Sequence, residues 1–368
     1  MNKRRNRTIW IHSLLIMAFG LLSLYSASYD NLRVSSKVFY DQLTFIGLAI
    51  VVMYWLSHQD YRRFYDISYV VFGINLVLLI GVQIAGRHAL GARRWIELGG
   101  LSFQPSELMK LSLILMLGRY LSTRRPSLSF DFISNSRGLW RNLLLPFLLT
   151  IVPVLLIFKQ PDLGTAILIL GIFLIMIFMS GLEYKYFSWF LGAVAAVLPL
   201  LWHVMHQYQK DRLLVFLNPN IDPLGAGYTI IQSKIAVGSG GLWGKGWLTG
   251  TQNQLNFLPE RHTDFIFSVI GEEWGLIGAL ALVYCYFMLV RAGLEIADNT
   301  KDNFGRLVAV GIVGILMLQV FINIGMVIGL CPVVGITLPF ISYGRTSFLV
   351  FAVMIGFLLS LSRKRSVF

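Results

Sequence analysis

Charged residues and cysteines are both scarce in this chain of 368 residues. Charged residues make up only 13% of it, too few for the surfaces of two or three soluble domains. Hydrophobic residues make up 56%, and the mean hydropathy is +0.69. Two cysteines provide neither a disulfide framework nor a Cys-based metal cluster. The composition therefore predicts an integral membrane protein.

Acidic residues are fewer than basic ones, with 18 Asp and Glu against 31 Lys and Arg and a net charge of +13. In a soluble chain this surplus would indicate nucleic acid binding. Here the basic residues lie between apolar runs rather than on one polar face. Nucleic acid is therefore not an expected partner.

Apolar runs of the length that crosses a bilayer, ~20 residues, recur along the chain. Ten such runs lie at 9–28, 40–57, 66–85, 106–121, 142–158, 163–181, 186–204, 264–290, 307–331 and 338–361. They predict an all-α polytopic membrane protein of about ten transmembrane helices. Nine or eleven spans remain alternatives, because the second, fourth and fifth runs are short or carry polar residues.

The distribution of basic residues predicts the orientation. With the N-terminus inside, 18 Lys and Arg lie on the inner side and 12 on the outer side. Both termini are therefore expected in the cytoplasm. Two outer regions result, residues 86–105 and a large extracytoplasmic loop, 205–262, between helices 7 and 8. We expect both to belong to a single transmembrane domain that covers 1–368.

Asp264 begins the eighth run, in the string LPERHTDFIFSVIGEEWG. Charged groups in or beside a span are candidates for function, because their transfer into lipid is unfavourable. At the outer boundary a carboxylate is partly desolvated and still meets a substrate. The structural alternative is an acidic group that the helix dipole favours at a helix N-terminus.

Three further charged residues lie near the outer ends of spans. Glu107 and Lys110 are three apart in QPSELMKL, hence on one helix face, and an internal ion pair is the alternative to a functional role. Asp162 precedes the sixth run in KQPDLGT, where helix capping is the alternative.

Arg93 and Arg94 form a basic pair on the side that the positive-inside rule disfavours. Arginine binds phosphate through paired donors, so a pyrophosphate head group is one explanation. A solvated loop or pairing with Glu97 is the other. The same positive field gains from a further set of outer cations, namely Arg212, Lys234, Lys245 and Arg261.

Metal ligands are sparse in the sequence. His203 and His206 share a helix face, but no further His or Cys lies near them in the sequence, so a histidine metal site is not expected.

Four strings together resemble one family over nearly the whole chain: GARRWIELGGLSFQPSELMKL, KQPDLGT, the stretch from DPLGAGYTIIQSKIAVGSGG to FLPERHTDF, and LPFISYG. They are similar to the SEDS proteins of shape, elongation, division and sporulation. The wording of the third string is most similar to the rod-shape branch rather than the division branch.

The resemblance implies a peptidoglycan glycosyltransferase that polymerises lipid II into glycan strands during cell elongation. It implies the bacterial cytoplasmic (inner) membrane, an active site facing the periplasm or exterior, and two kinds of partner: a class B penicillin-binding protein with transpeptidase activity and the elongation machinery. The catalytic residue, as general base, is then Asp264. The implied substrate-binding residues are Arg93, Arg94, Glu107, Lys110, Asp162, Lys245, Arg261, His262 and Ser342.

Some alternatives stay open. The family usually has a second glycine after ISYG, whereas this chain has Arg345, which either changes the local packing or supplies another cation. No cofactor is required, although a divalent cation, magnesium or manganese, remains an option. A flippase for a lipid-linked precursor and a non-catalytic scaffold for cell-wall synthases are the alternative functions.

Overall fold

The computed structural model describes residues 2–30, 33–34, 36–89, 92–98, 101–123, 143–181, 188, 192, 196, 202–203, 205 and 207–363. The seventh expected span, 186–204, lies almost entirely outside these described residues, as does most of the segment 122–141.

Helices dominate the described residues. In chain order they are α1 (Asn2–Ala27), α2 (Ser36–His58), α3 (Arg62–Ala85), α4 (Pro105–Ser122), α5 (Leu145–Lys159), α6 (Leu163–Met179), α7 (Gln207–Leu217), α8 (Ala226–Ser239), α9 (Thr251–Gln254), α10 (Ile266–Asn299), α11 (Asn303–Ile328) and α12 (Arg345–Arg363).

Six of these helices are long and apolar enough to cross a membrane, namely α1, α2, α3, α10, α11 and α12. Helices α5 and α6 are apolar but shorter. Together with α4, these helices fall on nine of the ten expected runs. The prediction of an all-α, multi-pass membrane protein is confirmed.

Helices α4, α11 and α12 form the centre of the described structure and bury most of their residues. Glycines on α11 allow neighbouring helices to approach closely. A Cβ on Gly311 would lie 2.7 Å from the side chain of Ile114, and one on Gly314 would lie 3.0 Å from that of Ile175. Both cysteines are free thiols.

A small antiparallel sheet occupies the first expected outer region. It consists of β3 (Arg87–Ala89), β4 (Ala92–Leu98) and β5 (Leu101–Phe103), in that order. An earlier pair, β1 (Tyr29–Asp30) and β2 (Arg33–Val34), joins α1 to α2. Because β5 leads directly into α4, the sheet fixes where that helix begins.

Helix α10 is interrupted near its start by Gly275, which has φ 63° and ψ −162°. This conformation is open to glycine and strained for other residues. The described part of region 205–262 packs against α10 and α11: Ser233 on α8 hydrogen-bonds to Ser268 at 2.9 Å and to the carbonyl of Val327 at 2.7 Å. Its placement outside the membrane stays a prediction.

Candidate active site

The backbone around Asp264 is held by the C-terminal part of the chain. Three consecutive carbonyl groups, the last belonging to Asp264 itself, each accept a hydrogen bond from that part. The bonds run from Tyr343 N to His262 O at 2.9 Å, from Ser342 Oγ to Thr263 O at 2.5 Å and from Asn323 Nδ2 to Asp264 O at 3.0 Å.

An irregular segment, residues 331–344, connects α11 to α12 and passes beside the Asp264 carboxylate. Gly335 has a positive φ of 70°, and a Cβ at this position would lie 3.4 Å from Asp264 Oδ2. Among the described residues, none donates a hydrogen bond to the carboxylate oxygens of Asp264. The carboxylate therefore lies against segment 331–344, and its oxygens remain available to accept hydrogen bonds from a substrate.

The electrostatic surroundings of Asp264 favour its protonated form. Burial raises the pKa of Asp264 from its usual 3.8 to about 6, and the negative charges of Glu260 and Asp162 contribute to the rise. The positive charges of Arg212 and Arg94 oppose it. Asp264 remains partly accessible. The chain thus places a carboxylate of raised basicity within electrostatic range of two guanidinium groups.

Asp162 caps helix α6, as the capping alternative expects. Its Oδ1 accepts a hydrogen bond from Thr165 N at 3.1 Å. Its Oδ2 accepts from Gln104 Nε2 at 3.2 Å and from Ser106 Oγ at 3.3 Å. Asp162 therefore ties the start of α6 to the start of α4, and its charge is felt at Asp264.

Arg94 extends from strand β4 to the turn between α5 and α6. Its Nε donates to the carbonyl of Gln160 at 2.8 Å, and its Nη2 donates to the carbonyl of Pro161. This anchoring brings the guanidinium into electrostatic range of Asp264. The side chain of Arg93 lies outside the described residues.

Glu107 and Lys110 form the internal ion pair that the sequence left as an alternative. Lys110 Nζ lies 2.7 Å from Glu107 Oε2 and donates to Gln319 Oε1 at 2.9 Å. Lys110 is fully buried. The pair therefore contacts α11 rather than open solvent.

Lys245 and Arg261 fasten the region before α10 to its neighbours. Lys245 Nζ lies 2.8 Å from Glu272 Oε1 on α10. Arg261 donates to the carbonyl of Ala27, at the end of α1, at 2.7 Å and to the carbonyl of Asn253. Both predicted substrate-binding cations thus already contact the protein itself.

His262 and Ser342 both take part in the hydrogen bonds that hold the backbone just before Asp264. Ser342 Oγ donates to Thr263 O and accepts from Leu338 N at 2.7 Å. Burial lowers the pKa of His262, which favours the neutral ring. Arg345, at the position of the usual family glycine, pairs with Asp41 on α2, so its charge is matched within the chain.

Comparisons with known proteins identify the family. The model of the FtsW, RodA and SpoVE family, described as "Cell cycle protein", matches residues 6–367. The chain belongs to this family. The SEDS resemblance expected from the sequence motifs is thereby confirmed.

Relatives within this family resemble the chain along nearly its whole length. It is 40% identical over 363 residues to the peptidoglycan glycosyltransferase MrdB of Escherichia coli (strain K12), covering 98% of this chain and 94% of that protein. A solved structure of a peptidoglycan synthase complex contains a chain with 32% identity and a TM-score of 0.80, covering 96% of both chains. The rod shape determining protein RodA of Thermus thermophilus has 30% identity and a TM-score of 0.70, covering 97% of this chain and 96% of that one.

Four residues that contact or influence Asp264 or the adjoining segment 331–344 were not among the expected site residues. Gln319 and Asn323 are polar side chains within the apolar run 307–331, a signal that could have found them. Arg212 was only one of several outer cations. Glu260, in the quoted string FLPERHTDF, was not singled out, because sequence alone does not show which way a loop carboxylate points.

Proposed function

We propose that this chain is a peptidoglycan glycosyltransferase that polymerises lipid II into glycan strands, with Asp264 as the general base. The relative from Escherichia coli is named a peptidoglycan glycosyltransferase. The observation that carries the chemical assignment is the partly accessible Asp264 carboxylate of raised pKa, which lies within electrostatic range of Arg94 and Arg212.

Asp264 would remove the proton from the attacking hydroxyl. Polymerisation joins the 4-hydroxyl of an acceptor sugar to the anomeric carbon of a donor sugar, and this hydroxyl is a poor nucleophile at neutral pH. A pKa of about 6 leaves Asp264 largely ionised at pH 7 and makes it a stronger base than an exposed aspartate. As the new bond forms, the hydroxyl proton passes to Asp264.

The leaving group is a polyprenyl pyrophosphate, which is stable as an anion and needs no general acid. Positive charge can stabilise it instead. Arg94 and Arg212 supply such charge within electrostatic range of Asp264. Attack opposite the leaving group, assisted by one base, inverts the anomeric carbon, in contrast to retaining enzymes with a closely spaced carboxylate pair.

The membrane setting follows from the same reaction. The apolar helices keep the polyprenyl tails in the bilayer while the sugars meet above it. We place the chain in the bacterial cytoplasmic membrane, with both termini in the cytoplasm and Asp264 facing the exterior, in agreement with the basic residues. The structure of a peptidoglycan synthase complex that coordinates polymerization and crosslinking supports a class B penicillin-binding protein as partner. The elongation machinery is the wider assembly.

A magnesium or manganese ion stays a prediction from the sequence. Within the part of the chain that the structure describes, no three His, Cys, Asp or Glu side chains gather as a metal site. The proposed reaction therefore uses no step on such an ion.

Polymerisation of lipid II by the purified chain, with and without the transpeptidase partner, tests the function. Wild type is expected to form glycan polymer with inverted linkages. Asp264→Asn should form none, whereas Asp298→Asn, the same change at an exposed position on α10, should match wild type. Substantial polymer from Asp264→Asn would refute the base assignment. Translocation in vesicles without polymer would indicate a flippase, and neither activity would indicate a scaffold.

A further inference from the structure

Two amide side chains lie one helical turn apart on α11, among apolar residues. Gln319 and Asn323 are both fully buried. Polar groups inside a membrane protein are unfavourable unless they are hydrogen-bonded, and they mark functional positions. The bonds of this pair, and what those bonds hold in place, therefore indicate the role of the two residues.

Asn323 contacts two backbone carbonyls from different parts of the chain. Its Nδ2 donates to Asp264 O at 3.0 Å and to Ile336 O at 2.6 Å. Both partners are acceptors, so the two N–H groups of an amide nitrogen suit this position, whereas a carboxylate would only offer further acceptors. Asn323 thereby joins the start of α10 to segment 331–344.

Gln319 extends the same connection to the buried ion pair. Its Nε2 donates to Thr337 O at 2.9 Å and to Thr337 Oγ1 at 3.2 Å, while its Oε1 accepts from Lys110 Nζ. The donor on one side and the acceptor on the other determine the orientation of the amide. Gln319 thus links the ion pair of Lys110 and Glu107 to Thr337, the residue directly after Ile336.

We propose that Gln319 and Asn323 are positioning residues that hold Asp264 against segment 331–344 in its reactive place. This inference rests on the proposed function. The two amides fix two consecutive carbonyls of the segment, those of Ile336 and Thr337, and Asn323 also fixes the carbonyl of Asp264. Lys110, which is paired with Glu107, donates a hydrogen bond to Gln319 Oε1. The buried ion pair therefore acts on the reaction through Gln319.

Positioning acts on the chemical step more than on substrate binding. Misplacing a reacting group by about 1 Å lowers the rate by roughly 100-fold. Asn323 touches the backbone of Asp264, and Gln319 touches that of segment 331–344. Because neither residue is assigned to contact the substrate, their substitution should lower kcat and leave KM unchanged.

The test compares two buried asparagines. Asn75 on α3 is also fully buried and donates to Ser112 Oγ at 3.1 Å, so Asn75→Leu is the matched control for Asn323→Leu. Lipid II polymerisation and thermal unfolding are measured for wild type and both variants. Asn323→Leu should lower kcat by about 10-fold to 100-fold with KM within about twofold. Asn75→Leu should lower the Tm similarly and leave kcat within about twofold of wild type. Gln319→Leu should follow Asn323→Leu.

Equal kcat values for Asn323→Leu and Asn75→Leu, with an active wild type, would overturn the positioning role and leave the proposed function intact. If folded wild-type protein forms no polymer, both the positioning role and the proposed function are refuted. If Asn323→Leu does not fold, Asn323→Ser retains one O–H donor and serves the same purpose, with Asn75→Ser as control. The kcat of Asn323→Ser should fall by about 10-fold, the lower end of the same range. A kcat of Asn323→Ser equal to that of wild type would again contradict the proposal.

Discussion

Gly244 and Gly275 meet backbone to backbone, where the loop before α10 crosses the break in that helix. A Cβ on Gly275 would lie 2.3 Å from Gly244 N, and a Cβ on Gly244 would lie 2.1 Å from the carbonyl of Glu273. Hydrogen bonds surround the contact, from Lys245 N to Glu272 O at 3.0 Å and from Gly246 N to Glu273 O at 3.0 Å. The break in α10 thus exposes peptide groups that the loop satisfies.

Replacing Gly275 by alanine should therefore destabilise the protein. The positive φ and the contact with Gly244 both oppose a Cβ, and we expect a loss of more than about 1 kcal/mol. Gly238→Ala is the control, because Gly238 lies in α8 and a Cβ added there would meet nothing within 4 Å. This variant should be more stable than wild type by up to about 1 kcal/mol. Thermal unfolding of both variants in detergent gives the comparison. A Gly275→Ala protein as stable as wild type would contradict the packing.

Lys245 should prove to be a partner of Glu272 more than a ligand of the substrate. The Glu272 side chain is almost fully buried, whereas that of Lys245 is 28% exposed. Lys245→Met should destabilise by about 3 kcal/mol, because it leaves a buried charge unpaired. The double variant Lys245→Met with Glu272→Gln should recover most of the stability and the polymerase activity. Recovery of stability without activity would instead support contact between Lys245 and the substrate.

Arg345 and Asp41 should show a measurable coupling energy. Their side chains are 20% and 29% exposed, compared with 61% and 45% for the exposed pair Arg291 and Glu295 on α10. Double-mutant cycles on thermal stability should give about 1 kcal/mol for the first pair and less than about 0.5 kcal/mol for the second. Equal coupling energies would show that Arg345 does not fix α12 to α2.

The rate of polymerisation should follow the ionisation of Asp264. With a pKa of about 6, the base is protonated in acid, so kcat/KM should fall about tenfold per pH unit below pH 6 and level off above pH 7. A pH series on purified protein measures this limb. A limb centred near pH 4 would show that the carboxylate is not desolvated in the free enzyme.

The same pKa predicts that Asp264→Asn stabilises the fold at neutral pH. The folded pKa of about 6 exceeds the usual 3.8, so the charged form is disfavoured in the folded state. This penalty is absent below pH 3.8, grows between pH 3.8 and 6, and stays constant above pH 6. Asp264→Asn should therefore unfold at a higher temperature than wild type at pH 7.5, with the difference vanishing near pH 4. An equal difference at both pH values would exclude ionisation as its cause.

The sequence identified the parts of the molecule that depend on local composition. Apolar runs predicted the spanning helices, because a bilayer demands length and hydrophobicity from each helix on its own. Asp264 was recognisable as a carboxylate at the start of a span. Its electrostatic interaction with Arg94 and Arg212 became visible only in the fold.

Contacts between distant segments were beyond the sequence. Asn323 reaches Asp264, 59 positions away, through a backbone carbonyl that every residue possesses. The break at Gly275 follows Glu272 and Glu273 inside the run 264–290, but the loop that packs against the break lies elsewhere in the sequence. Strand β4 carries two arginines and a tryptophan, and it pairs with short neighbours whose register depends on the turns between them. Each of these features is determined by a partner that lies elsewhere in the chain.

The three bonds to His262, Thr263 and Asp264 also define an order of assembly. Their donors, Asn323, Ser342 and Tyr343, are synthesised after the residues they hold. A nascent chain that ends at α10 already contains Asp264 but lacks these three donors. The backbone of residues 262–264 therefore acquires these bonds only after segment 331–344 has been synthesised.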